Sequence, residues 1–297
     1  MAGGVTVNID GMIGGPEEIR VSALDRGFLY GDSVYEVVRT YDGVPFALGE
    51  HLERLARSAA RLAIALPERG TLVREMRRTL AVAGHADAYC RVIVTRGTGP
   101  ITLDPTTATS PLTVILVKKY EPFPEWTYEW GVRVAIPQIR RTSPRSLDPA
   151  IKSGNYLNSV LALGEARAAG CDDALMLDGA GNVAEATSSN VFVVRDGAVA
   201  TPALEVGLLA GVTRGILIDL LAQHGLVCSE RAITVPEVLD ADEVLLTSTL
   251  REVQPVIEVA GRRIGEGVPG PMARRLKALF HEHALERARR EVAWDRA

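Results

Sequence analysis

Short runs rich in β-branched and aromatic residues meet at Asp10-Gly11, Asp42-Gly43, Asp178-Gly179 and Asp196-Gly197, and a related Ala260-Gly261 pair lies near the end. A tight hairpin needs positive φ at its turn residues, which Asp-Gly tolerates, so each pair predicts two antiparallel strands. The strand runs are 6–13, 34–41 with 44–47, 173–177 with 183–186, and 191–195 with 198–201. Further strands are expected over 89–95, 112–118, 132–136, 227–231 and 243–247. Between them lie helical patterns. Residues 50–66 carry an apolar stripe of Leu52, Leu55, Ala59, Leu62 and Ala63, with Pro67 as the stop. Residues 71–84, with Thr71 as N-cap, 155–170, 213–225 and 271 to about 292 complete the helices. Residues 119–130 break all periodicity and read as a linker. The chain therefore reads as α/β with two domains: a smaller one over 1–118 and a larger one over 131–297.

Charge and cysteine content narrow the function. A net charge of −4 supplies no basic field, which argues against nucleic acid or an anionic membrane as partner. No apolar stretch approaches the ~18 residues of a membrane span. Cys90, Cys171 and Cys228 lie far apart and form no C-x-x-C pair, as expected of small buried residues in a reducing compartment. The first residues lack the basic-then-apolar build of a signal peptide, and a cytoplasmic protein is expected. Of the 33 cations only Lys118, Lys119, Lys152 and Lys277 are lysines. Arginine is the default cation here, so the few lysines form a shortlist for chemistry that needs a primary amine.

Two apparent motifs fail. Gly179-Ala-Gly-Asn-Val-Ala184 matches a dinucleotide-binding string, but a strand-like run follows where a helix should begin, so a hairpin turn is expected. His281 and His283 lie two apart on a probable helix, do not share a face, and argue for no metal. His51 and His224 read as helix-end residues.

Several segments together fit a phosphate-bearing aromatic cofactor. Gly211-Val212-Thr213-Arg214 opens a helix, where unpaired N–H groups and partial positive charge suit a phosphate. Thr247-Ser-Thr249 places hydroxyls at a strand end, and Arg54 lies at the edge of an apolar helix stripe. Glu185, followed by Ala-Thr-Ser-Ser-Asn190, offers the carboxylate that a protonated pyridine nitrogen requires.

The stretch from Glu185 through Asn190-Val-Phe192 and Thr201 to Leu209-Ala-Gly-Val-Thr-Arg214 resembles the signature of the class IV (fold type IV) pyridoxal-phosphate aminotransferases. The run from Asp25 through Tyr30 and Tyr35 to Glu36, the Glu50-His-Leu-Glu-Arg54 segment, and Ile151-Lys152-Ser-Gly-Asn-Tyr156 resemble its other motifs. The resemblance implies the two-domain fold of that family, with the cofactor between the domains, and a homodimer. It implies that Lys152 binds pyridoxal 5′-phosphate (PLP) as a Schiff base and then shuttles the Cα proton. Glu185 would pair with the ring nitrogen, Tyr156 with the ring hydroxyl, and Arg54, Val212, Thr213 and Thr249 with the phosphate. Tyr30, Tyr35, Val37 and Arg39 would line the substrate pocket.

Arg39 and Arg91 resemble carboxylate-binding positions of branched-chain aminotransferases. Val-Tyr-Glu-Val-Val and Ser-Ser-Asn-Val-Phe resemble D-amino-acid transaminases instead. The loop after Thr95-Arg-Gly97 nevertheless has no Arg or His as far as Val117, where that subgroup keeps its carboxylate trap. Leu250 and Arg251 stand where the family has small residues, and Arg251 is expected to enter the pocket as a carboxylate anchor or a gate. The expected reaction carries the amino group of an aliphatic branched-chain L-amino acid to 2-oxoglutarate, in a pocket that also suits (R)-primary amines. A D-amino-acid transaminase, an aminodeoxychorismate lyase-like enzyme and a non-catalytic PLP-binding protein are the alternatives.

Overall fold

The computed structural model describes residues 4–291, and their contacts divide into two compact units. The first runs to Glu121 and also takes Ile151–Asn155 and the chain from Ala284; the second holds Pro122–Ala150 and Tyr156–His283. This grouping differs from the continuous division 1–118, 119–130 and 131–297 read from the sequence. Backbone bonding explains the return of 151–155: the Tyr35 N–H donates to Lys152 O at 3.0 Å and the Gly154 N–H to Ser33 O at 3.0 Å. The expected linker finishes one strand and carries a short helix.

The first unit comprises β1 (Val5–Ile9), β2 (Met12–Gly14), α1 (Arg26–Tyr30), β3 (Ser33–Tyr41), β4 (Val44–Pro45), α2 (Leu48–Leu62), α3 (Arg69–Ala83), β5 (Ala88–Thr95) and β6 (Leu112–Lys119). Its antiparallel sheet has the order β2-β1-β6-β5-β3-β4. Strand alternation sends Val34 and Val38 into a core with Leu55, Met76, Val92 and Val117, beneath α2 and α3. Tyr35, Val37 and Arg39 therefore take the other face. The register Val37↔Arg91 puts Arg91 on that face beside them.

Three of the four Asp-Gly hairpins form for the expected reason, whereas the turn at Asp178-Gly179 takes its positive φ at Gly181, 90°. Asp10, Asp42 and Asp196 have φ of 47°, 50° and 50°, and the glycines that follow have φ of 91°, 81° and 76°. Helix ends differ more. α2 stops at Leu62 because Ala63 turns left-handed at φ 50°, well before Pro67. α3 begins after an extended Glu68, which leaves Thr71 inside the first turn and not at the N-cap.

The second unit comprises α4 (Trp126–Glu129), β7 (Val132–Ala135), α5 (Leu157–Ala168), β8 (Asp173–Leu177), β9 (Val183–Ala186), β10 (Asn190–Arg195), β11 (Ala198–Pro202), α6 (Val212–Gln223), β12 (Cys228–Arg231), α7 (Val235–Leu239), β13 (Glu243–Ser248), β14 (Glu252–Val259) and β15 (Arg262–Arg263), and it contains the start of α8 (Pro271–Glu291). The end of the last helix expected near residue 292 lies outside the described residues. Nine strands form a mixed sheet in the order β12-β11-β10-β13-β14-β7-β8-β9, with β15 on β14. Val191, Val193, Val244 and Leu246 pack into its core. β8 and β9 pair antiparallel, so the glycine-rich string at 179–184 is a hairpin and opens no helix.

Candidate active site

In the first unit Lys152 sits on a segment held from two sides. Its backbone N–H donates to Ser58 Oγ of α2 at 3.1 Å, and its carbonyl accepts from Tyr35 of β3. At Gly154 a β-carbon would meet Ser33 Oγ, so any larger residue there would require the serine hydroxyl to move. With the backbone fixed, the Lys152 ammonium lies 4.6 Å from the centroid of the Tyr35 ring. The Arg91 guanidinium lies 4.0 Å from the same centroid. The Arg91 side chain makes no ion pair or hydrogen bond among the described residues, and its buried Nε has no partner. Arg39 is packed between the rings of Tyr41 and Tyr120, at 4.2 and 3.9 Å. Val37 is half-buried beside them. Tyr30 ends α1, with Arg26 over its ring at 4.9 Å.

The covered face of the same sheet holds a buried charge cluster. Arg54 donates to both Glu36 oxygens, at 2.7 and 2.8 Å, and His51 Nδ1 lies 2.7 Å from the second of them. Arg54 is therefore buried and pinned by Glu36, not at an edge. Burial alone would push the Glu36 carboxyl up, but the Arg54 guanidinium and His51 hold it down to about 2. His51 lies in the first turn of α2, at a helix end as expected, and is fully buried there. Burial lowers its pKa despite Glu36, and the charges of Arg54 and Lys152 act in the same direction. His224 does cap its helix, at the C-terminus of α6.

In the second unit Glu185 is buried on β9. Its Oε1 pairs with Arg141 at 2.9 Å, and its Oε2 accepts from Asn190 Nδ2 at 3.3 Å and from the Leu209 N–H at 3.2 Å. These donors fix the orientation of the carboxyl group, the kind of partner that a pyridine ring nitrogen needs. Asn190 also donates to Leu209 O at 2.9 Å, and it leaves no room for a β-carbon on Gly211. Gly211 is the N-cap of α6 and supplies no side-chain cap to the first turn, which includes Val212 and Thr213. Two buried hydroxyls, Ser189 Oγ and Thr247 Oγ1, have no hydrogen-bond partner. Thr247 is the cross-strand partner of Asn190, the residue that follows Ser189. Thr249 and Leu250 lie in the turn between β13 and β14, and Tyr156 is the N-cap of α5. Arg214, an arginine of the signature, is structural: it donates to Thr201 Oγ1, Pro202 O and Glu230, tying α6 to β11.

Arg251 is expected to anchor a carboxylate, but its guanidinium is engaged. Nη2 pairs with Asp173 at 2.6 Å, Nη1 donates to Gln254 Oε1 at 2.5 Å, and the group lies over the Phe123 ring at 4.8 Å. Arg141, Glu36, His51 and Asp173 were not singled out by the sequence. Glu36 stood within a recognisable motif, but its pairing with Arg54 across the β3–α2 connection had no local signal. Burial pushes the Cys90 thiol up to about 12, which agrees with an inert core residue. Among the described residues no group of His, Cys, Asp or Glu is arranged to hold a metal.

In the first unit a lysine amine lies beside an arginine without an ion pair, and in the second a buried, hydrogen-bonded carboxylate, partnerless buried hydroxyls and a helix start without a side-chain cap occur; the chemistry of each set suits PLP, the cofactor of a class of aminotransferases. The amino-transferase class IV family profile matches residues 33–259. A Methanocaldococcus jannaschii protein, provisionally named a branched-chain-amino-acid aminotransferase, is 38% identical over 277 residues, covering 93% of this chain and 95% of that one. A D-alanine aminotransferase of Bacillus licheniformis is 33% identical, covering 93% and 95%. A branched-chain amino acid aminotransferase of T.th., solved with pyridoxamine 5′-phosphate, superposes with a TM-score of 0.90 at 30% identity, over 95% of this chain and 94% of that chain. The chain belongs to the class IV aminotransferases, and its cofactor is pyridoxal 5′-phosphate.

Proposed function

We propose that this aminotransferase moves the amino group of an aliphatic branched-chain L-amino acid to 2-oxoglutarate, as a cytoplasmic homodimer. The observation that carries the reading is the pairing of Lys152 and Arg91 on one tyrosine ring. A guanidinium without an anionic partner, half-buried beside the reactive amine, is suited to a substrate carboxylate, which it can bind through two parallel bonds. Bound PLP supplies an electron sink for the bond-breaking at the substrate Cα. Lys152 Nζ would be the base that takes and returns the proton at that carbon. Glu185, held by Arg141 and Asn190, would pair with the ring nitrogen, and Tyr156 would pair with the ring hydroxyl. Arg54, Val212, Thr213 and Thr249 would hold the phosphate. Tyr30, Tyr35, Val37, Arg39 and Leu250 border the substrate. The test is to add single donors to the PLP-loaded protein without acceptor and follow the visible absorption. L-Leucine is expected to bleach the long-wavelength band, and 2-oxoglutarate to restore it. Bleaching by D-alanine or an (R)-arylalkylamine alone would overturn the branched-chain L-amino acid reading.

A further inference from the structure

Arg251 is the residue of the substrate region whose surroundings fit its expected role least well. Its partner Asp173, the first residue of β8, is completely buried. One oxygen of Asp173 accepts from Arg251 Nη2. The other accepts from Thr187 Oγ1 at 2.5 Å, from the Ala174 N–H at 2.8 Å and from the Thr187 N–H at 3.4 Å. Thr187 lies two residues after Glu185, and Arg251 two residues after Thr249. A single carboxylate thus joins the segment that follows the ring-nitrogen partner to the turn that carries the phosphate hydroxyl. Arg251 extends the connection. Gln254, buried at 0% exposure, takes its Nη1 and donates in turn to Thr127 Oγ1 of α4 at 3.0 Å. Tyr128 of α4 donates its hydroxyl to Arg251 O at 3.0 Å. The turn needs such support. Glu252, immediately after Arg251, holds φ at 56°, a strained value for a residue with a side chain.

We propose that Asp173 and Arg251 form a buried latch that positions Glu185 and Thr249 on the cofactor, and that Arg251 does not bind substrate. The inference rests on the cofactor roles given above to Glu185 and Thr249. Its energetic basis is that a buried charge left without its partner is far more disruptive than a buried pair exchanged for two neutral groups. Lysine is no substitute for Arg251, because a single ammonium lacks the planar fork that meets Asp173 and Gln254 together.

The test compares Asp173→Asn, Arg251→Lys, the double variant Asp173→Asn/Arg251→Gln, and Thr249→Ala. PLP affinity is measured by titrating each apoprotein and reading the visible absorption of the bound cofactor, alongside the KM for 2-oxoglutarate and the melting temperature of the apoprotein. The latch predicts that Asp173→Asn and Arg251→Lys each weaken PLP by about tenfold or more. The KM for 2-oxoglutarate, measured at saturating PLP, should stay within about threefold of the unaltered enzyme. The double variant should recover most of the lost affinity, a non-additivity that a merely structural pair of sites would show in melting temperature but not in PLP affinity. Unchanged PLP affinity in Arg251→Lys, with a raised KM for the acceptor, would overturn the latch and make Arg251 a substrate anchor. If Asp173→Asn fails to fold, Arg251→Lys decides alone. Thr249→Ala separates the two readings. If it leaves PLP affinity intact while the latch variants lose it, the phosphate role of Thr249 fails and the latch stands through Glu185.

Discussion

Glu36 shows how one buried carboxylate fixes the properties of its neighbours. It holds Arg54 through two bonds and His51 through a third, so removing its charge leaves a buried arginine uncompensated. Glu36→Gln is expected to cost about 3–5 kcal/mol of apoprotein stability and to weaken PLP, read by denaturant unfolding and by cofactor titration. The same cluster sets a pH dependence. The folded Glu36 sits at about 2 against 4.5 for an ordinary glutamate, so its stabilisation is present above 4.5 and is lost as pH falls towards 2. His51 is lowered from 6.5, so the unfolded chain takes up its proton first and stability begins to fall below about 6.5. Apoprotein stability should therefore decline in two stages on acidification, the upper one absent from His51→Gln. A profile with no decline between pH 6.5 and 4.5 would refute the buried neutral histidine. On the other face of the sheet, Arg91→Met should raise the KM for 2-oxoglutarate by about ten- to a hundredfold, as loss of a charged hydrogen bond implies, with PLP affinity unchanged. Equal loss for every donor and acceptor, with weaker PLP, would place Arg91 in the scaffold instead.

α6 carries two residues assigned to the phosphate, and its seat depends on Arg214. That side chain is buried and reaches Thr201 Oγ1, Pro202 O and Glu230 Oε2, the last at 2.6 Å. Arg214→Leu keeps much of the volume but abandons those acceptors, so about 2–4 kcal/mol should be lost on unfolding and PLP should bind more weakly. Unchanged PLP affinity in a destabilised Arg214→Leu protein would separate the helix from the phosphate. Arg214 was legible from the sequence as part of a signature, while its partners were not. The same contrast runs through the elements. Hairpins were legible because Asp-Gly chemistry is local. The end of α2 was not, because Ala63 adopts a left-handed cap that its side chain does not announce. The start of α7 is written locally in the sequence: Thr234 and Glu237 form a capping box with a proline in the first turn. Arg141 lies in an irregular stretch where periodicity says nothing, and Arg251 meets Asp173 across 78 residues, a pairing only the fold creates.

At the scale of the whole molecule, α5 is apolar on two sides. Ala162 and Ala166 pack inward with Ala135, Ala174 and Met176. Leu157, Val160 and Leu161, at helical spacing on the same helix, are 67%, 59% and 49% exposed. A helix apolar beyond its packed face has a second surface to cover, and a second copy of the chain is the occupant that agrees with the proposed homodimer. Among the described residues no helix is long and apolar enough to cross a membrane, so that stripe is no part of a spanning segment. In a two-fold dimer each substitution enters the interface twice. Val160→Glu would then place two carboxylates in contact with apolar surface, at a cost of several kcal/mol for each desolvated charge. The expected result is a monomer by light scattering at micromolar concentration, with helix content unchanged by circular dichroism, because Val160 contributes little to the packed face of α5. A Val160→Glu protein that stays dimeric would move the interface elsewhere. An unaltered protein that is monomeric at the same concentration would remove the homodimer from the proposed function altogether.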